Sequence, residues 1–76
     1  MPLLNWLNNH GKRRAKKARE YQQLAIKHKV ESARNFEWAR NYHVSHPTHK
    51  AFVASGNKNL KLSKLCDELA RRYAKP

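Results

Sequence analysis

"KRRAKKAREYQQLAIKHKVESARNFEWARNY", residues 12–42, contains neither proline nor glycine. Ala, Lys, Arg, Glu, Gln and Leu dominate it, and these are strong helix formers. The stretch therefore predicts one long helix, or two in line. Its best apolar stripe is Ala18, Tyr21, Ala25, His28, Ser32, Phe36 and Ala39, stepping by 3 or 4 as a buried helical face requires. That stripe is narrow and holds small or polar members. A second ridge, Ile26, Val30 and Ala33, lies about 100° round from it, which predicts a second neighbour or a bend near residues 30–35.

Towards the C-terminus, "HVSHPTHK" (residues 43–50) interrupts the pattern, because Pro47 disfavours helix at His46. A loop is expected here. "AFVAS" (residues 51–55) is apolar all round and is followed by Gly56 and Asn57, so it predicts a short buried helix over about 46–55 that stops at Gly56. Ser45 is a candidate cap for it, with Pro47 in its first turn. Leu62, Leu65, Cys66, Leu69 and Tyr73 then mark an amphipathic helix over about 60–74. Asp67–Arg71 and Glu68–Arg72 are acid-before-base pairs at i, i+4, each worth about 0.2–0.5 kcal/mol.

Towards the N-terminus, "PLLNWLNN" (residues 2–9) begins with a proline suited to a first helical turn and gathers Leu3, Leu4 and Leu7 on one side. Asn8, Asn9 and Gly11 read as a stop or bend. The fold class that follows is all-α. One long basic helix (about 12–42) carries the short apolar helix (about 46–55) and the amphipathic C-terminal helix (about 60–74) packed back on its middle, around residues 26–39. Residues 1–76 form a single small domain, with 1–11 an apolar segment and 12–19 a basic arm.

Composition narrows the function. A chain of 76 residues buries only roughly 60% of its unfolded surface, and at 39% apolar it is too thin for a large ligand pocket. A partner is expected to supply part of its stability. Seventeen Lys and Arg against five Asp and Glu give +12, a field that favours polyanions: nucleic acid, an anionic membrane surface or an acidic protein. Half of that excess falls in the first 19 residues. The single cysteine, Cys66, excludes an internal disulfide and a multi-cysteine zinc framework. Its place on the last apolar stripe marks it as a small core residue. No apolar run approaches the roughly 18 residues of a spanning helix. The acid-free N-terminus bears a loose likeness to an organelle transit segment, but it is poor in serine.

Six cations, Lys12, Arg13, Arg14, Lys16, Lys17 and Arg19, crowd into eight positions. In a helix they surround the axis, like charges meet at 12/16 and 13/17, and the helix N-terminus repels them too. The run is therefore expected to fray alone, to order from about Glu20 and Tyr21 onward, and to become helical against phosphates, with a steep salt dependence. Trp38 points away from the Phe36 and Ala39 side with Arg34 one turn below it. That spacing suits a cation–π pair or a stacking plate beside a phosphate ligand, while the plainer reading packs Trp38 on Leu3 and Leu7 or on Phe52. His43, His46 and His49 read as polar loop histidines rather than zinc ligands, since closed sites draw ligand pairs from separated elements. There is no glycine-rich phosphate loop, no acid/base carboxylate pair and no nucleophile with an oriented base. "LSKLCDELARRYA" has the pattern of a first helix of a helix-turn-helix without room for a recognition helix.

The sequence therefore predicts a non-enzymatic, basic, helical nucleic-acid-binding protein with no cofactor or metal, RNA preferred over DNA, as a small intracellular ribonucleoprotein component. Its contact residues are the six cations of the run, with Lys27, Lys29, Arg34, Trp38, Arg40, Arg71 and Arg72 extending the track. Leu3, Leu4, Trp6 and Leu7 form a candidate partner-docking patch. Two alternatives stand beside this: a small regulatory or inhibitory protein docking on an acidic protein surface, and a peripheral membrane protein anchored by residues 3–7 with the basic run on anionic headgroups.

Overall fold

The computed structural model describes residues 2–75, with side chains from residue 11 onward. Two helices, α1 (Pro2–Ala39) and α2 (Pro47–Ala74), are joined by a short turn and run antiparallel, with no strand among the described residues. The all-α expectation holds. The hairpin is a rod 65 Å long and 13 Å across in both transverse directions, measured on Cα atoms. Allowing for one Cα radius at each edge of that 13 Å, its axes lie about 8 Å apart, the close end of the usual range.

Small side chains make that approach feasible. Ala18, Ala25, Ser32 and Ala39 recur every seventh residue of α1 and are all buried; Gly56, Ser63 and Ala70 do the same on α2. A seven-residue repeat on two helices is the seam of a coiled coil. Because each seam residue is short, polar backbone groups come within reach across it. Ser32 Oγ donates to the Gly56 carbonyl (2.8 Å), Ser63 Oγ donates to the Ala25 carbonyl (2.9 Å), and His49 Nδ1 lies 2.8 Å from the Ala39 carbonyl as its donor. These three bonds share one antiparallel register, which also sets Ala18 opposite Ala70. Larger half-buried groups alternate with the small ones: Tyr21, His28 and Phe36 on α1, Phe52 and Tyr73 on α2. Tyr21 stacks on Tyr73 at 5.6 Å near one end, while Trp38 and Tyr42 stack on Phe52 at 6.3 and 6.1 Å near the other. No large side chain is fully buried among the described residues.

Several expectations are corrected. The helices expected over 46–55 and 60–74 are one, running through Gly56 with no positive φ. A helical glycine costs about 1 kcal/mol relative to alanine, yet a Cβ on Gly56 would sit 2.9 Å from Cε1 and Cζ of Phe36. The residue read as a stop is thus the point of closest approach. Likewise α1 passes Asn8, Asn9 and Gly11 without interruption. It ends at Ala39 rather than near 42, where Asn41 and Tyr42 donate to the carbonyls of Trp38 and Ala39 in a tightened last turn. His46, not Ser45, caps α2: its ring Nδ1 accepts from the Thr48 N–H (3.1 Å), with Pro47 in the first turn as expected. Ser45 pairs instead with His43 Nδ1 at 2.7 Å. "AFVAS" is half-buried or exposed rather than buried, and Ile26, Val30 and Ala33 face solvent because no second neighbour reaches them. On α2, Leu65 is 51% exposed, and Ser63 and Ala70 take the seam. Glu68–Arg72 forms its ion pair (2.9 Å), whereas Asp67–Arg71 is not among the ion pairs of the described residues.

Candidate nucleic-acid interface

The basic run, which its charge pattern predicts to fray when free, lies within α1 as continuous helix. One cause is visible at Arg14. Its Nη2 donates to the Arg72 carbonyl (3.0 Å) and reaches the Lys75 carbonyl (3.4 Å), and its guanidinium carbon lies 5.6 Å from the centre of the Tyr73 ring. The last carbonyls of a helix have no partners within it and carry the negative end of its dipole, so a cation there is stabilising. Lys17 Nζ also stands over Tyr73, at 6.0 Å. Two of the six cations thus answer to α2. The Arg14 Nε is buried without a hydrogen-bond partner among the described residues, while Nη2 is engaged by the end of α2.

The others are available. Lys12, Arg13, Lys16, Arg19, Lys27, Lys29, Arg40 and Arg71 are all exposed. Arg34 is tied to Glu31 (3.5 Å) and Arg72 to Glu68 (2.9 Å), both on the surface where an ion pair contributes little and is readily exchanged. The Arg34–Trp38 cation–π pair is not among those formed by the described residues, because Arg34 turns to Glu31 instead. Trp38 stays 56% exposed with its ring on Phe52, sharing a shallow groove with Arg34, Glu37 and Asn41. A second shallow cleft of ≈ 450 Å³ lies where α2 ends on α1, walled by Arg14, Ala18, Arg19, Tyr73 and Lys75. Neither is an enclosed pocket. The side chains of Leu3, Leu4, Trp6 and Leu7 fall outside the described residues.

The chain-order reading missed Lys50, Lys58, Lys61 and Lys64, all exposed on α2. Dividing α2 at Gly56 hid their common helix. The signal was present in the heptad: Lys50 follows the seam residue His49, Lys64 follows Ser63 and Arg71 follows Ala70. The three histidines expected in a loop divide between the turn and α2, where His49 lies, and Nδ1 of each contacts a neighbour: His43 with Ser45, His46 with Thr48, His49 with Ala39. No group of three metal-ligating side chains is placed to hold an ion among the described residues. Among the described residues, no helix is long and apolar enough to cross a membrane. Comparison with protein-family models, curated proteins and solved structures finds no match for the chain.

Proposed function

We propose that this protein is a non-enzymatic nucleic-acid-binding hairpin, acting on RNA in preference to DNA, as a small intracellular ribonucleoprotein component. One observation carries the reading: of seventeen cations, sixteen are exposed, and only Arg34 and Arg72 are held in ion pairs among the described residues. Structural surface charge is ordinarily mixed in sign. Here it repels itself along a rod only two helices thick, and phosphates are the counter-charges that suit such an array. Lys12, Arg13, Lys16 and Arg19 are its densest part, Lys27, Lys29, Arg40 and Arg71 continue it, and Trp38 offers a stacking face. Arg14 supports the array by fixing α2. Binding of labelled RNA and DNA measured across a salt series tests the proposal. Affinity should fall steeply with salt, by a log–log slope of about −0.7 to −0.9 per phosphate neutralised; a slope near zero refutes it.

A second reading has its own observation. Ile26, Trp38 and Leu65 are 64%, 56% and 51% exposed, and exposed aromatics beside arginine are what protein interfaces use. On that reading the hairpin docks on an acidic protein. Partners that survive nuclease treatment and are lost on Trp38→Ala would favour it.

A further inference from the structure

The geometry points to a double helix as the target, gripped at two phosphate positions one helical turn apart. This inference rests on the nucleic-acid reading above and names the form of nucleic acid.

Each seam residue is followed by a residue about 100° further round its helix. Since α1 and α2 run oppositely, the same rotation along each chain carries both followers to the same edge of the hairpin. The register fixed by Ser63–Ala25, Ser32–Gly56 and His49–Ala39 therefore sets these followers opposite one another in four rungs. Arg19 faces Arg71, Ile26 faces Lys64, Ala33 faces Asn57, and Arg40 faces Lys50. The outer rungs hold two cations each and the inner ones hold one and none. All four outer cations are exposed. Asp67 and Lys29 lie near the same edge, one of each sign, and Asp67 forms no ion pair with Arg71 among the described residues.

Arg19 to Arg40 and Lys50 to Arg71 are each three heptads, so the outer rungs are about 31 Å apart at 1.5 Å per residue. The chain holds that spacing rigidly, because Arg40 still donates to the Phe36 and Glu37 carbonyls and Lys50 to His46, within the end turns of the helices. One turn of B-form DNA advances about 34–36 Å, and an A-form turn is shorter, so arginine and lysine side chains bridge the remaining difference in either case. A duplex lying along the rod presents each strand's phosphates to the same side once per turn, with the two grooves and the other strand between them facing the weakly charged middle. A single strand has no such fixed spacing. Such contacts read helical shape rather than sequence.

Duplexes of 8 and 16 base pairs, as RNA and as DNA, with single strands of equal length, test this with the full chain. The longer duplex reaches both rungs and the shorter only one. The expected result is a log–log salt slope steeper by about 1.8 for 16 than for 8 base pairs, two further phosphates, with at least a tenfold gain in affinity. The step should be larger for RNA than for DNA, in keeping with the RNA preference proposed above; a larger step for DNA overturns that preference. Arg19→Ala with Arg71→Ala, or Arg40→Ala with Lys50→Ala, should each abolish the step, bringing the salt slope for 16 base pairs down to that for 8. Lys61→Ala, on the outer face of α2, should preserve it, and circular dichroism checks that each variant stays helical. Salt-sensitive binding with no length step, or equal affinity for single strands, overturns the two-rung duplex while the nucleic-acid reading stands. No binding to any of these overturns both.

Discussion

The chain's two glycines are both helical, and substituting each with alanine separates backbone propensity from helix contact. At Gly11 an added Cβ meets nothing within 4 Å, so Gly11→Ala should realise the helix-propensity difference of about 0.8–1.0 kcal/mol. That corresponds to a rise in Tm of about 4–8 °C for a chain of this size. At Gly56 the same gain is opposed by a Cβ 2.9 Å from two ring carbons of Phe36. Overpacking of this kind costs about 1–3 kcal/mol, so Gly56→Ala should lie between neutral and about 2 kcal/mol destabilising. Thermal and urea unfolding followed by circular dichroism gives both values. Phe36→Leu removes the opposing ring atoms, and in that background Gly56→Ala should recover its stabilising sign. The double-mutant cycle then reports a coupling of about 1 kcal/mol or more. If Gly56→Ala raises stability as much as Gly11→Ala in the unaltered chain, the helices do not approach as closely as the seam requires, and the account of the core fails.

Three further outcomes follow from the same geometry. Arg14→Ala should lower stability by about 1–2 kcal/mol through loss of a helix-end cation and its contact with Tyr73. Arg13→Ala and Lys16→Ala should leave unfolding unchanged or slightly improved, while weakening nucleic-acid binding; equal effects of all three on unfolding would remove the special role of Arg14. Ser63→Ala should cost about 0.5–1.5 kcal/mol for its buried hydrogen bond, and Ser63→Leu distinctly more, since the seam has no room for it; a tolerated leucine in urea titrations would contradict that. His46→Asp should raise Tm, because aspartate is a strong N-cap and its charge suits a helix start, each effect up to about 1 kcal/mol; an unchanged melt would show that the cap does not limit α2.

The stripe on α1 was legible because its period survives whatever the side chains are: Ala18, Ala25, Ser32 and Ala39 are all buried as the spacing requires. What was not legible was the partner. On α2 the predicted stripe holds at Cys66, which is buried, and at Leu62, Leu69 and Tyr73, which are half-buried, but not at Leu65; the closest part of the seam runs through Gly56, Ser63 and Ala70, whose side chains are too small for an apolar pattern to mark them. Gly56 carries two meanings, helix breaker and close contact, and only the ring of Phe36 across the gap decides between them. The cations of α2 were hidden by the same division. For Arg14 the sequence showed charge but not that the carbonyls of Arg72 and Lys75 stand within its reach.

A seam of alanine, serine and glycine buries little apolar area, and +12 is distributed over two helices whose axes lie about 8 Å apart. That distance is within the Debye length of about 10 Å at 0.1 M salt, so charges on one helix act on those of the other. Salt should consequently have opposite effects on the unbound and bound protein. Raising it screens the self-repulsion and should raise the Tm of the protein alone. A bound polyanion at 100 times its Kd adds about 2.7 kcal/mol, a further rise of roughly 10–20 °C at the sensitivity expected for this size. As salt weakens that binding, the two melting curves should converge from opposite directions, one rising and one falling. Melts of the protein alone and with duplex RNA between 20 and 300 mM salt would trace both. A Tm that falls with salt in the absence of nucleic acid would mean that the hairpin is not under charge strain, and the physical link between its thin core and a polyanionic target would be lost.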